Sequence, residues 1–174
     1  MNESSTIKVR IAGTISDSIV DGPGFRYVVF FQGCKKRCLN CHNEKTWDLL
    51  GGSVVDVSSL FEGLNNPLLS GLTLSGGEPF LQAEAALVLA KEAHNRGLNV
   101  VTYSGYTLEQ LRAFKDSIID RLLDETDYLV DGEYVDSLRD LRLKYKGSSN
   151  QRFIDMKASV VKKTIVTLYE EIEE

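Results

Sequence analysis

The chain has 174 residues, a formal net charge of −5, 43% hydrophobic residues and 26% charged residues. That length buries one substantial core, so a single domain over 1–174 is expected, and the mild acidity argues against general nucleic-acid binding. No apolar run approaches membrane-spanning length and Met1–Lys8 lacks the apolar centre of a signal peptide, so a cytoplasmic protein with reduced thiols and no membrane partner is expected.

The first clear element is Arg26–Phe31 (RYVVFF), whose β-branched and aromatic residues predict a buried strand. It is entered from the turn-rich Asp21-Gly22-Pro23-Gly24 and leaves through Gly33 into Cys34, Cys38 and Cys41, the only cysteines in the chain. Ser58 or Ser59 caps a short helix running to about Leu64 and stopped by Pro67. Leu72–Ser75 predicts a second strand, broken by Gly76-Gly77. Gln82–Arg96 is rich in Ala, Leu, Glu and Lys and predicts a helix with Gly97 as its stop. Leu98–Tyr103 predicts a strand ending at Ser104-Gly105. Thr107–Gln110 carries a capping-box pattern, continued by Leu108, Leu111 and Phe114 as an amphipathic helix. Tyr128–Val130 predicts a strand ending at Asp131-Gly132, and Gln151–Met156 a further one. An acidic, solvated tail is expected over 169–174.

Strands alternating with helices predict an α/β fold with a mostly parallel sheet and right-handed crossovers. The chain is too short for eight βα units, so an open partial (β/α) barrel is expected rather than a closed one. Every distinctive loop follows a strand, and in parallel architectures ligands gather at that edge.

The spacing C-x3-C-x2-C offers three thiolates without a nearby fourth, which suits a 4Fe–4S cluster with one iron left open. The bland readings are a zinc site or three unligated thiols. Zinc usually takes four ligands, and His42 is the obvious candidate, yet its adjacency to Cys41 points the two side chains apart in an extended loop. His94 falls inside a helical stretch and is expected to be a packing or surface residue. Lys35, Lys36 and Arg37 form either a solvated loop face or a landing patch for an acidic electron donor.

The cysteine spacing after a first strand, together with Gly76-Gly77-Glu78-Pro79, resembles the radical S-adenosylmethionine enzymes. Asp21–Arg26 (DGPG-x-R), Cys41-His42-Asn43 and Thr46-Trp47 are similar to the activases of glycyl-radical enzymes. Phe30–Cys34 is similar to pyruvate formate-lyase activases. Tyr103–Tyr106, Leu129–Gly132 and Gly147–Gln151 resemble the more compact activators of anaerobic ribonucleotide reductase, with Lys146 standing where that group often has Arg. The resemblance spans about Asp21–Asp155.

This resemblance implies an oxidoreductase that cleaves S-adenosylmethionine reductively and removes a hydrogen atom from a glycine in the radical loop of the reductase catalytic subunit. It implies Cys34, Cys38 and Cys41 as cluster ligands. It implies cofactor contacts from Asn40, Cys41, His42, Gly76, Gly77, Glu78, Ser104 and Gly105. A flavodoxin-like or other electron donor is a further implied partner. No side-chain acid or base is required, because the cofactor performs the hard step. Against this stands a non-enzymatic iron–sulfur or zinc module, which would need no pocket for a methionyl group.

Overall fold

The computed structural model describes residues 7–172. Its strands are β1 Lys8–Ser18, β2 Arg26–Phe31, β3 Ser53–Asp56, β4 Gly71–Gly76, β5 Asn99–Tyr103, β6 Tyr128–Asp131, β7 Arg152–Asp155 and β8 Thr167–Leu168. They form one sheet in the order β3-β1-β2-β4-β5-β6-β7-β8. The four central strands β2, β4, β5 and β6 run parallel. The outer pairings are all antiparallel: β1 with β2 and β3, and β7 with β6 and β8. The expectation of a mostly parallel sheet therefore holds for the centre and fails at the flanks. Residues 19–25 join β1 to β2 without a helical crossover, and no helix longer than a single turn separates β6 from β7, so these neighbours pair antiparallel.

The central strands carry near-continuous apolar runs because both faces are covered. Successive side chains alternate, so Val100 joins the main core while Val101 joins a second cluster with Val130 and Phe153 on the opposite face. Helix α1, Ala83–Asn95, buries Ala85, Ala86, Leu89, Ala90 and Ala93 in the main core, and its small residues let the helix lie close to the sheet. Helix α2, Leu108–Ala113, starts at the expected capping box between Thr107 and Gln110. Helix α3, Ser117–Asp124, was not expected from the sequence; Asp116 caps it by accepting from the N–H groups of Ile118 and Ile119. Helix α4, Met156–Lys162, and strands β1, β3 and β8 were likewise not expected. The short helix before Pro67 is a 3-10 segment, Val57–Asn65, ended by the extended backbone of Asn66.

The tail begins later than expected. Tyr169 meets the Phe153 ring edge-on with centroids 4.9 Å apart and the Tyr145 ring at 5.1 Å, so it closes the second cluster. Glu170, Glu171 and Ile172 are exposed, and 173–174, like 1–6 of the polar start, lie outside the described residues.

The N-terminal ends of the central strands are tied by polar groups. Arg26 is fully buried and has no ion pair with a carboxylate among the described residues. Its guanidinium donates to Thr73 Oγ1 (2.7 Å), Pro23 O (2.8 Å), Leu72 O (2.9 Å) and Asn99 Oδ1 (2.7 Å), and Thr73 in turn donates to Asp21 O. Burial pulls its pKa down to about 10. The DGPG turn is thus cinched to three strands by one side chain. Replacing Arg26 by Met should destabilise the protein by about 3 kcal/mol, because several buried carbonyls lose their donor at once. A urea unfolding curve whose midpoint does not move would refute this role.

At the same edge His94 lies between two carboxylates, with Nδ1 2.6 Å from Glu125 and Nε2 2.7 Å from Asp127. Burial disfavours its charged form, but the two carboxylates outweigh that and raise its pKa. His94 is a partly buried ion-pair residue rather than a simple packing group.

Candidate functional site

At the opposite edge, β2 runs out through Gln32 and Gly33 into the cysteine loop. Gly33 N–H donates to Thr46 O and Cys34 N–H to Trp47 O (3.2 Å), so the loop closes on its own base. Gln32 Nε2 donates to Lys45 O (3.1 Å) and Asp48 O (2.8 Å) and fixes the returning limb. Arg37 and Asn40 take positive φ values of 50° and 56°, which coils the chain tightly around Cys38.

All three thiols are free and line one cavity of about 710 Å³, a size ordinary for a small-molecule site. Each sulfur receives backbone N–H groups: Lys36 and Arg37 at Cys34, Tyr134 at Cys38, and Asn43 at Cys41 (3.4 Å). Burial nevertheless raises the Cys34 thiol, and burial together with Glu133 pushes Cys38 to about 11. Cys34 and Cys38 are thus held toward the protonated form, and bound iron would supply the charge that favours their thiolates. No group of three His, Cys, Asp or Glu side chains among the described residues is arranged to hold a single metal ion. A cubic cluster asks for something different, since its ligands reach separate irons around a larger object. Three thiols ringed by N–H donors on a roomy cavity fit such a group.

The loop after β4 packs directly on the cysteine loop. Gly76 has φ +93°, and a Cβ on Gly77 would stand 2.3 Å from Gly33 O. Both glycines are thus required by close backbone packing at the end of β2, rather than by approach to a ligand alone. Gly77 N–H donates to Phe31 O and Glu78 N–H to Gly33 O.

Glu78 is 1% exposed. Its carboxylate accepts from Gly105 N–H (2.8 Å), Ser104 Oγ (2.9 Å) and Phe80 N–H (3.4 Å). Burial pushes its pKa up to about 7 against those hydrogen bonds and nearby Lys36. The structure therefore brings Gly76, Gly77, Glu78, Ser104 and Gly105 together with the three cysteines on one cavity wall.

His42 also lines the cavity and holds its ring 5.2 Å from that of Tyr134. Asn40 does not line it; its side chain donates to Asp136 (3.0 Å) at the surface. Lys36 turns inward, 4.5 Å above the Tyr106 ring and 4.0 Å from Glu133, while Lys35 and Arg37 stay exposed. The three basic residues thus do not share one face.

The residues that sequence reasoning missed are in the long connection between β6 and β7. Tyr134, Asp140, Leu141, Tyr145 and Lys146 line the cavity, beside Gly132 of the loop already expected at this edge. The same connection touches the cysteine loop through Glu133 at Cys38 (3.7 Å), Asp136 at Asn40 and Tyr134 at His42. This segment therefore walls one side of the cavity. Its cluster of turn residues, Gly147-Ser148-Ser149-Asn150, was the available signal.

Residues 20–154 match the family described as 4Fe-4S single cluster domain. The pyruvate formate-lyase 1-activating enzyme of Escherichia coli strain K12 is 38% identical over 128 residues, covering 70% of this chain and 50% of that protein. The anaerobic ribonucleoside-triphosphate reductase-activating protein of Salmonella typhimurium is 34% identical over 142 residues, covering 76% of this chain and 90% of that protein. The chain thus spans about half the length of the former relatives and nearly all of the latter. A crystal structure of QueE from Escherichia coli superposes on 60% of this chain and 55% of its own with a TM-score of 0.48 and 16% identity.

Proposed function

The chain belongs to the 4Fe–4S single-cluster family that includes the activating proteins of glycyl-radical enzymes, and from that premise we propose that it activates anaerobic ribonucleotide reductase. When bound, a 4Fe–4S cluster with one open iron supplies the one-electron chemistry that cleaves S-adenosylmethionine and removes a hydrogen atom from a partner glycine. The observation that carries this reading is the single cavity shared by three free thiols and the buried Glu78.

Cys34, Cys38 and Cys41 would hold the cluster. Glu78, buried with a pKa near 7, offers a negative charge to the ammonium of the methionyl group. Gly76 and Gly77 seat that carboxylate against the cysteine loop, and Ser104 and Gly105 orient it by hydrogen bonds. His42 flanks the third cysteine on the cavity wall and would act through main chain, whereas Asn40 stands off the cavity and bonds Asp136. The sheet would curve as an open partial barrel, with the β6–β7 connection walling one side of its cavity. The reductase is favoured as partner because the match takes in 90% of its activator, and because Tyr103–Tyr106, Leu129–Gly132 and Gly147–Gln151 resemble that group. The higher identity to the lyase activase supports pyruvate formate-lyase as the second reading. Exposed Lys35 and Arg37 suit an acidic, flavodoxin-like donor in the cytoplasm.

The test is anaerobic reconstitution with iron and sulfide, followed by S-adenosylmethionine, a reductant and each candidate partner in turn. A glycyl-radical resonance on the reductase is expected, with flavodoxin or dithionite as electron source. A resonance on pyruvate formate-lyase and none on the reductase would reverse the choice of partner.

A further inference from the structure

Two lysines line the cavity, and they differ in what holds them. Lys36 sits on the Tyr106 ring and near Glu133. Lys146 is only 7% exposed, and among the described residues its Nζ has neither an ion pair nor a hydrogen bond. No buried side-chain nitrogen among the described residues is sealed away without a partner, so the Lys146 ammonium keeps some exposure, and the residue itself lines the cavity. The acidic residues on the same wall are already engaged: Asp140 by Arg142, Glu78 by Ser104 and Gly105, and Asp21 by the Ser18 hydroxyl.

Lys146 is firmly placed. Gly147 N–H and Ser148 N–H donate to Gln151 Oε1, whose amide donates back to Gly132 O. A Cβ on Gly147 would stand 3.1 Å from the Tyr134 ring, which in turn faces His42 beside the third cysteine. The backbone therefore holds a mostly buried lysine on the cavity wall with no anion among the described residues to meet it. Such a charge is costly unless a ligand supplies the missing partner.

Resting on the cofactor reading above, we propose that Lys146 binds the carboxylate of S-adenosylmethionine, the one anionic group that molecule carries. Glu78 and Lys146 then give the cavity one buried charge of each sign, complementary to the ammonium and carboxylate of an amino-acid zwitterion. Lys146 becomes a determinant of specificity for the intact methionyl group.

The test is equilibrium binding of S-adenosylmethionine and of its decarboxylated analogue to the reconstituted protein. Lys146→Met should weaken S-adenosylmethionine by about tenfold to a hundredfold, the range of a charged hydrogen bond, and the analogue by less than about threefold. Lys146→Arg, which keeps the charge, should restore most of the affinity, and Lys146→Gln replaces the Met variant if that one does not fold. Equal loss for both compounds, or unchanged affinity for S-adenosylmethionine, overturns the assignment while leaving the cofactor reading intact. Wild-type protein that binds neither compound overturns both.

Discussion

Replacing Cys38 by Ala should remove the visible iron–sulfur absorbance of the reconstituted protein and lower its iron and sulfide content at least tenfold, with cleavage of S-adenosylmethionine falling below detection. The thiol stands on the cavity wall, touches only Glu133 as a side-chain hydrogen-bond acceptor, and is one of three donors with no spare. Its loss leaves two ligands for a cube that needs three. The thermal midpoint of the iron-free protein should move by only a few degrees, since the side chain is small and sits in a loop closed by backbone bonds at Gly33 and Cys34. Iron content is the measurement that decides. A Cys38→Ala protein that retains full cluster would place the metal elsewhere.

Replacing Glu78 by Gln should weaken S-adenosylmethionine binding about a hundredfold at pH 8, because a buried carboxylate facing a cation is a strong, charge-assisted contact. The wild type should also show a pH dependence that the variant lacks. With the free-protein pKa near 7, acidification below that value protonates Glu78 and lowers affinity for a cationic group, approaching a decade per pH unit. The stability of the ligand-free protein runs in the opposite sense. The folded pKa lies above the ordinary value of 4.5, so the native state binds more protons than the unfolded chain between 4.5 and about 7. Stability therefore falls as pH rises through that window, by about 3 kcal/mol from this residue when fully ionised. Titration calorimetry from pH 6 to pH 8 tests the binding half, and thermal melts of ligand-free protein test the other. A flat affinity profile in the wild type would remove Glu78 from contact with the cation.

The parts of the fold legible in the sequence were those where local chemistry and tertiary demand agree. RYVVFF, LTLS and LNVVTY are buried on both faces at the sheet centre, and their apolar runs announce it. β1 was hidden because its second half, from Ala12 to Asp17, stays largely exposed and polar, and Gly13 interrupts the pairing register with β2. α3 was hidden by its brevity, although Asp116 followed by Ile119, Leu122 and Leu123 holds a cap and one buried stripe. The cysteine and glycine elements of the site were visible because backbone geometry and metal ligation leave few substitutes. The wall built by the β6–β7 connection was not, since its contacts to the cysteine loop depend on a fold that brings residues 133–147 against 36–42.

The ties at the two ends of the sheet divide the labour of the molecule. Arg26, His94 and Asp127 lock together the ends at which the parallel strands begin, while the thiols and Glu78 gather where those strands finish. Rigidity and reactivity are thereby supplied by separate residues. A polypeptide arranged this way can stay folded while empty, receive iron as a late addition, and survive its oxidative loss without collapse.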